Sequence, residues 1–292
     1  MLSTFAKQPT PALPLAGVAQ PVLAAQRAEV MRRHHVRILG EGKPPLLLCN
    51  GFGCSQHIWN YLLPTLTRTH QVICFDQVGA GDSDLSAYDP HKYATLAGYA
   101  HDVVEICQVL ELRDAILVGH SAGAMIGLLA AVQAPQYFAK AVLLAASPCY
   151  VNEPGYYGGF ERADVLEVLA SMDQNYYSWA SQFADLLIGP GYASSVGEEL
   201  TSYFCQADSA IARQFARVAY LADSRASVPH LHLPTLLVQC SDDVAVPAEV
   251  GEYLKAHLPQ AQLVTLAATG HCPHLSAPLE TLAAMQPFLQ EA

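Results

Sequence analysis

The sequence predicts an α/β chain: a mainly parallel sheet with helices on both faces, interrupted by a block of four helices. Three observations predict it. Short apolar runs at 45–49, 72–75, 115–118, 141–145, 236–239 and 263–266 alternate with helical stretches, as strands buried on both faces do. Between 148 and 229 the alternation stops and helical spacing takes over. Finally, the apolar run 115–118 leads into Gly119-His120-Ser121-Ala122-Gly123, which reads as a strand, a sharp turn and a helix with Ser121 at the apex.

Composition bounds the rest. The 292 residues are 52% hydrophobic and only 14% charged, so the chain can bury a full-sized core. A net charge of −11 argues against nucleic acid and anionic membranes as partners, since both require basic patches. Eight cysteines without a C-x-x-C pair read as reduced core thiols of a cytoplasmic protein. Residues 1–27 carry no acid and hold prolines at 9, 11, 14 and 21, which predicts a flexible extension over 1–28. The sharper alternative is a signal peptide, with Lys7 before a mildly apolar stretch and Ala24-Ala25 near a cleavage site. Prolines interrupt that stretch, and no run approaches the roughly 18 apolar residues of a membrane span.

In chain order, 35–39 alternates like a strand, and Gly40 to Pro44 turns it into the strand at 45–49, a hairpin entering the core. A strand at 72–75 follows. The helix at 96–110 carries apolar residues at helical spacing, with Thr95 placed to cap it. After the strands at 115–118 and 141–145 come four helices at 160–172, 176–187, 195–205 and 208–221. Ser195-x-x-Glu198 fits a capping box and Asp208 an N-cap. Strands at 236–239 and 263–266 and a helix at 279–289 close the chain. The expected organisation is a core over 29–150 and 226–292 and a helical cap over 151–225, seated on the carboxyl edge of the sheet.

A serine hydroxyl becomes a strong nucleophile only when a base takes its proton and an acid orients that base. On G-x-S-x-G elbows the chain order is serine, acid, histidine. Two candidates follow Ser121 in that order. Ser241-Asp242-Asp243 closes one strand and Thr269-Gly270-His271 the next, both at strand carboxyl ends, where parallel sheets present their sites. Asp243 is favoured over Asp242, which reads as a solvated neighbour or hydrogen-bond support. His274 rivals His271, and His271-Cys272-Pro273-His274 could suggest a metal site. The intervening proline spoils a helical ligand pair and further ligands are wanting, so no metal is expected.

The tetrahedral oxyanion needs two backbone donors held in place beforehand. Ala122, following the nucleophile at the helix start, supplies one. The loop Asn50-Gly51-Phe52-Gly53 supplies the other, most naturally through Phe52. Gly79-Ala80-Gly81 fails the dinucleotide fingerprint because Asp84 stands where the third glycine belongs, so Asp76 to Ser83 reads as a structural turn. A P-loop is missing, and no cofactor is inferred. Trp179 and Phe183, four apart on one cap helix, read either as packing or as pocket lining.

The motifs Asn50-Gly-Phe-Gly-Cys, Phe75-Asp-Gln-Val-Gly-Ala-Gly-Asp-Ser, Gly119-His-Ser-Ala-Gly-Ala-Met-Ile-Gly, Ser147-Pro-Cys-Tyr, Tyr157-Gly-Gly-Phe-Glu and Gly270-His-Cys-Pro-His together resemble the α/β-hydrolase group that contains the bacterial stress regulator RsbQ. The plant strigolactone and karrikin receptors are similar, although they carry serine where Gly123 stands. The resemblance runs from about 36 to the C-terminus. It implies an α/β-hydrolase fold, a Ser121, Asp243, His271 triad, an oxyanion hole at Phe52 and Ala122, and a four-helix cap over an apolar pocket. Tyr150, Trp179, Phe183 and Val244 are then expected near that pocket with Phe52.

The expected activity is serine hydrolysis of a small, largely apolar ester or lactone-like carbonyl compound. The alternative is an RsbQ-like ligand sensor whose slow hydrolysis or occupancy controls a phosphatase-type protein partner in stress response. A peroxidase-like or C–C-cleaving hydrolase is a third possibility on the same fold. Aspartate-nucleophile enzymes are disfavoured by the serine at 121.

Overall fold

The first element of the computed structural model, which describes residues 20–42, 44–192 and 194–291, is helix α1 (Gln20–Arg33). It lies partly inside the expected flexible extension, so that expectation is corrected for 20–28. Residues 1–19 lie outside the described residues. The alanine-rich run 24–28 favours helix. Val30 is fully buried and Arg33 pairs with Glu105 at 2.5 Å, which ties α1 to the body of the protein.

The chain continues through β1 (Arg37–Leu39), β2 (Leu46–Cys49), α2 (Leu63–Leu66), β3 (Val72–Cys74), α3 (Leu96–Val109), β4 (Ala115–His120), α4 (Ala122–Gln133) and β5 (Phe138–Leu144). Four cap helices follow: α5 (Arg162–Gln174), α6 (Tyr176–Ile188), α7 (Ser194–Gln206) and α8 (Ser209–Tyr220). The core resumes with β6 (Thr235–Asp242), α9 (Ala248–His257), β7 (Ala261–Thr269), α10 (Pro273–Ser276) and α11 (Pro278–Gln290).

The sheet order is β1-β3-β2-β4-β5-β6-β7, with β1 alone antiparallel to its neighbour. The expected β1–β2 hairpin does not form. Gly40 and Gly42 cross against the backbone of Thr67 to His70, and the Gln71 N–H donates to the Gly42 carbonyl at 2.8 Å. That crossing places β3 between β1 and β2. β2 and β4 are buried along their whole length, whereas edge strand β7 is largely half-exposed.

Two capping expectations are also corrected. Thr95 occupies the N-cap position of α3 but makes no side-chain cap hydrogen bond. Ser195 lies inside α7 rather than at its start. The cap does use this device at α5, where the Asp164 carboxylate accepts the Glu161 N–H at 3.2 Å. Asp208 caps α8 as its sequence position suggests, accepting the N–H groups of Ala210 and Ile211 at 3.0 Å.

α8 buries Ala212, Phe215, Ala216 and Ala219, one stripe at helical spacing. Phe215 reaches the core, stacking on Tyr99 at 4.4 Å and lying 5.6 Å from Phe52. Burying such a ring stabilises by roughly 1.5–3 kcal/mol, so the cap is held to the core by apolar contact. Among the described residues, no helix is long and apolar enough to cross a membrane.

Candidate active site

Ser121 stands between β4 and α4 with φ 54° and ψ −122°. A non-glycine residue there is strained by on the order of 1–3 kcal/mol, so its surroundings must enforce it. They do so closely. The Ser121 N–H donates to the Leu144 carbonyl of β5 at 2.9 Å. A Cβ on Gly119 would sit 2.5 Å from Ala124 Cα, and one on Gly123 would sit 2.2 Å from the Asn50 carbonyl oxygen. Any side chain at 123 must therefore push the Asn50 loop away from the elbow.

His271 Nε2 lies 2.7 Å from Ser121 Oγ, and its Nδ1 lies 2.9 Å from Asp243 Oδ2. Asp243 Oδ1 lies 3.1 Å from the same nitrogen and also accepts the N–H groups of Ala245 and Val246 at 2.8 and 3.1 Å, so both carboxylate oxygens are held against the imidazole and the loop. Asp242 is exposed on the last residue of β6 and contributes backbone instead, its carbonyl accepting the Gly270 N–H at 2.7 Å. The imidazole is further fixed through its own backbone. The His271 N–H donates to the Leu187 carbonyl of the cap at 2.6 Å, and His120 Nε2 donates to the His271 carbonyl at 2.9 Å.

His274 is kept away from Ser121. It is fully buried between Trp59 and His120, with ring centroids 4.8 and 4.4 Å away, and neither of its nitrogens has a partner among the described residues. Burial, and secondarily His271, push its pKa down to about 3, and burial likewise holds His120 well below the ordinary range. The described His and carboxylate groups close enough to share a cation lie elsewhere. One is His34, Asp102 and Glu105, where Lys92 and Arg33 already balance the carboxylates; the other is His35, Asp76 and Asp82.

A histidine that stays neutral when folded but charges when unfolded makes acid favour the unfolded chain. Its contribution is intact above about pH 6.5 and drains away as pH falls toward about 3. Lowering the pH from 7.5 to 4.5 should therefore destabilise the protein, and His274→Phe should shrink that loss by roughly 2–3 kcal/mol in urea titrations. An unchanged difference between the two pH values would count against it.

Phe52 lines a small hollow with Ser121, and Ala122 follows Ser121 as the first residue of α4; neither N–H has an acceptor among the described residues. The Phe52 loop is braced by Asn50, whose amide donates to the Phe75 carbonyl at 2.9 Å and accepts Trp59 Nε1–H at 2.7 Å. Gln77 Nε2 donates to the Asn50 carbonyl at 3.0 Å. The Asp76 to Ser83 segment is the structural turn its sequence suggests. The buried Asp76 carboxylate accepts the N–H groups of Gln56 and Asp82 at 2.7 and 3.0 Å.

Two hollows meet at this point. A small one of about 20 Å³, the size of one water, touches Phe52, Ser121 and His271. A larger apolar cavity of about 230 Å³ lies under the cap, lined by Tyr150, Trp179, Phe183 and Val244 among others. Tyr150 and Tyr220, with Leu187 and Ala245, border both hollows. Trp179 and Phe183 stack at 4.6 Å as cavity wall, and Val244 lies at the rim, 45% exposed. Sequence reasoning missed the direct contact of Tyr150 with Ser121 (Oη to Oγ, 3.2 Å) and the role of Tyr220. Only the Ser147-Pro-Cys-Tyr motif hinted at the first.

A family model described as Alpha/beta hydrolase family matches residues 46–285. The chain is 38% identical over 250 residues to karrikin insensitive 2 receptor CA of Petunia hybrida, covering 85% of this chain and 93% of that protein. It is 35% identical over 252 residues to strigolactone esterase D14 of Arabidopsis thaliana, covering 86% and 94%. The solved structure of a hydrolase from Oleispira antarctica superposes with a TM-score of 0.89 at 35% identity, covering 91% of this chain and 98% of that one. With a sevenfold sheet, a strained serine elbow and this breadth of similarity, the chain belongs to the α/β-hydrolase family.

Proposed function

We propose that this esterase-like hydrolase cleaves a small, largely apolar ester or lactone-like compound through an acyl-enzyme on Ser121. The observation that carries the reading is the continuous chain from Asp243 through His271 to Ser121 beside an apolar cavity. His271 Nε2 takes the Ser121 proton as Oγ attacks the carbonyl carbon, and Asp243 stabilises the imidazolium. The Phe52 and Ala122 N–H groups hold the oxyanion. His271 returns its proton to the leaving oxygen, then activates water to release the acyl group. No step calls for a cofactor. An aromatic, uncharged wall favours an apolar substrate body, and a relative named as an esterase supports the reaction type.

A fluorophosphonate probe tests this: mass spectrometry should find its adduct on Ser121. No adduct there, with no turnover across an ester and lactone panel, overturns the reading.

A second reading is ligand sensing, in which slow hydrolysis or occupancy alters the cap for a protein partner. A relative named as a receptor favours it, and so does the cap carbonyl of Leu187 bonded to the His271 N–H. An RsbQ-like role would make that partner a stress-response phosphatase in the cytoplasm. All eight cysteines are free, which suits a reducing compartment. Fast turnover favours metabolism; very slow turnover with ligand-dependent capture of a phosphatase-type partner favours sensing.

A further inference from the structure

Ser121 Oγ has two side-chain partners. One is His271 Nε2 at 2.7 Å, which accepts the serine proton; the other is Tyr150 Oη at 3.2 Å. A hydroxyl that donates to His271 still offers its lone pairs, so the Tyr150 O–H is the donor in the second bond. Tyr150 is buried and burial pushes its phenol up to about 12, so it carries its proton at neutral pH.

The phenol is held in place by its backbone. The Cys149 carbonyl accepts hydrogen bonds from Ser147 Oγ at 2.9 Å and Tyr156 Oη at 2.8 Å, and the Tyr150 carbonyl accepts the Phe160 N–H at 3.2 Å. A Cβ on Gly158 would sit 2.6 Å from that carbonyl oxygen, so the neighbouring chain packs directly on it. The ring meets Tyr220 edge-on at 5.4 Å. Ser121 Oγ is the partner of the phenol among the described residues. Such bracing of a single donor against the apex oxygen is preorganisation, not space filling.

We infer that Tyr150 is a catalytic residue, whose O–H stabilises the negative charge that Ser121 Oγ develops as it attacks the ester carbon and as it leaves the acyl-enzyme. The inference rests on the nucleophile reading of Ser121. In attack, the Oγ–H bond breaks toward His271 Nε2 while the Oγ–C bond forms and the carbonyl π electrons move to the oxyanion. In deacylation the Oγ–C bond breaks and Oγ recovers a proton from His271. Tyr150 keeps its own proton throughout and donates only a hydrogen bond. That bond is long while Oγ is neutral and tightens as Oγ charges, so it favours the transition state over the ground state. It also differs in position from the oxyanion hole, since it addresses the attacking oxygen rather than the carbonyl oxygen.

Hydrogen bonds to charged groups are worth enough that Tyr150→Phe should lower kcat on a simple aryl ester by about 10–100-fold, with KM within about twofold. The rate of Ser121 phosphonylation by a fluorophosphonate should fall by a similar factor, because the same oxygen attacks. Placing 3-fluorotyrosine at 150 should restore both rates, since a more acidic phenol is a stronger donor. A residue that only shapes the pocket would move KM and leave the phosphonylation rate alone. Phosphonylation of Tyr150→Phe within twofold of wild type, or equal rates for the phenylalanine and fluorotyrosine proteins, overturns the inference while leaving Ser121 as nucleophile. Wild-type protein that takes no label at Ser121 overturns both.

Discussion

Replacing Ser121 with alanine is expected to abolish fluorophosphonate labelling and to cut ester turnover by about 10⁴-fold or more. The loss is large because, in the proposed mechanism, the serine oxygen is the atom that forms the covalent bond, and the donors left behind cannot replace it. The fold should survive. The strained φ of 54° is imposed by the Leu144 carbonyl and by the close approach of Gly119 and Gly123 to their neighbours, none of which involves the hydroxyl. Thermal unfolding close to that of wild type, measured on the same preparation, separates lost chemistry from lost structure. Labelling or turnover that persists in Ser121→Ala would sink the acyl-enzyme mechanism.

The second large effect separates two adjacent aspartates. Asp243→Asn should lower kcat by about 10³–10⁴-fold, while Asp242→Asn stays within about twofold. The geometry supplies the reason. Asp243 Oδ1 accepts two backbone N–H groups, so an asparagine keeps its carbonyl oxygen there and turns its NH₂ toward His271 Nδ1. The imidazole must then carry its proton on Nε2, aimed at Ser121 Oγ, and cannot act as base. Asp242 works through its carbonyl, which the substitution leaves intact. Comparable losses in both variants, or a larger loss in Asp242→Asn, would reassign the acid.

Much of the fold was legible because its signals are local. Buried parallel strands are unbroken apolar runs, so β2, β4, β5 and β6 could be read directly, as could the four cap helices from their spacing. The β1 pairing was not legible. Turn residues between two strands look alike whether the second strand returns beside the first or another strand slips between them, and the contacts of Gly40 and Gly42 with Thr67 to His70 decide it. Helix α1 was missed because the prolines before it and the lack of acid read as a flexible tail, while its anchor, Arg33 on Glu105, joins residues 72 positions apart. Caps failed similarly: Ser195 and Glu198 have the right spacing, but the helix begins one residue earlier.

By itself, the sequence determined the class of fold, the serine at a sharp strand-to-helix turn, and an aspartate pair and a histidine following it in chain order. These depend on short-range rules, since glycines around an elbow and residues at strand ends announce themselves within a few positions. The tertiary structure decided what depends on distance between remote segments. It turned the Asp243 carboxylate toward His271 and left Asp242 exposed, and it buried His274 beside Trp59 with no partner for either nitrogen among the described residues. It also divided the space near Ser121 into a water-sized hollow and an apolar cavity. The Tyr150 hydroxyl belongs to this second group, because it lies 29 positions from Ser121 in the chain and only the tertiary fold brings the two oxygens to 3.2 Å.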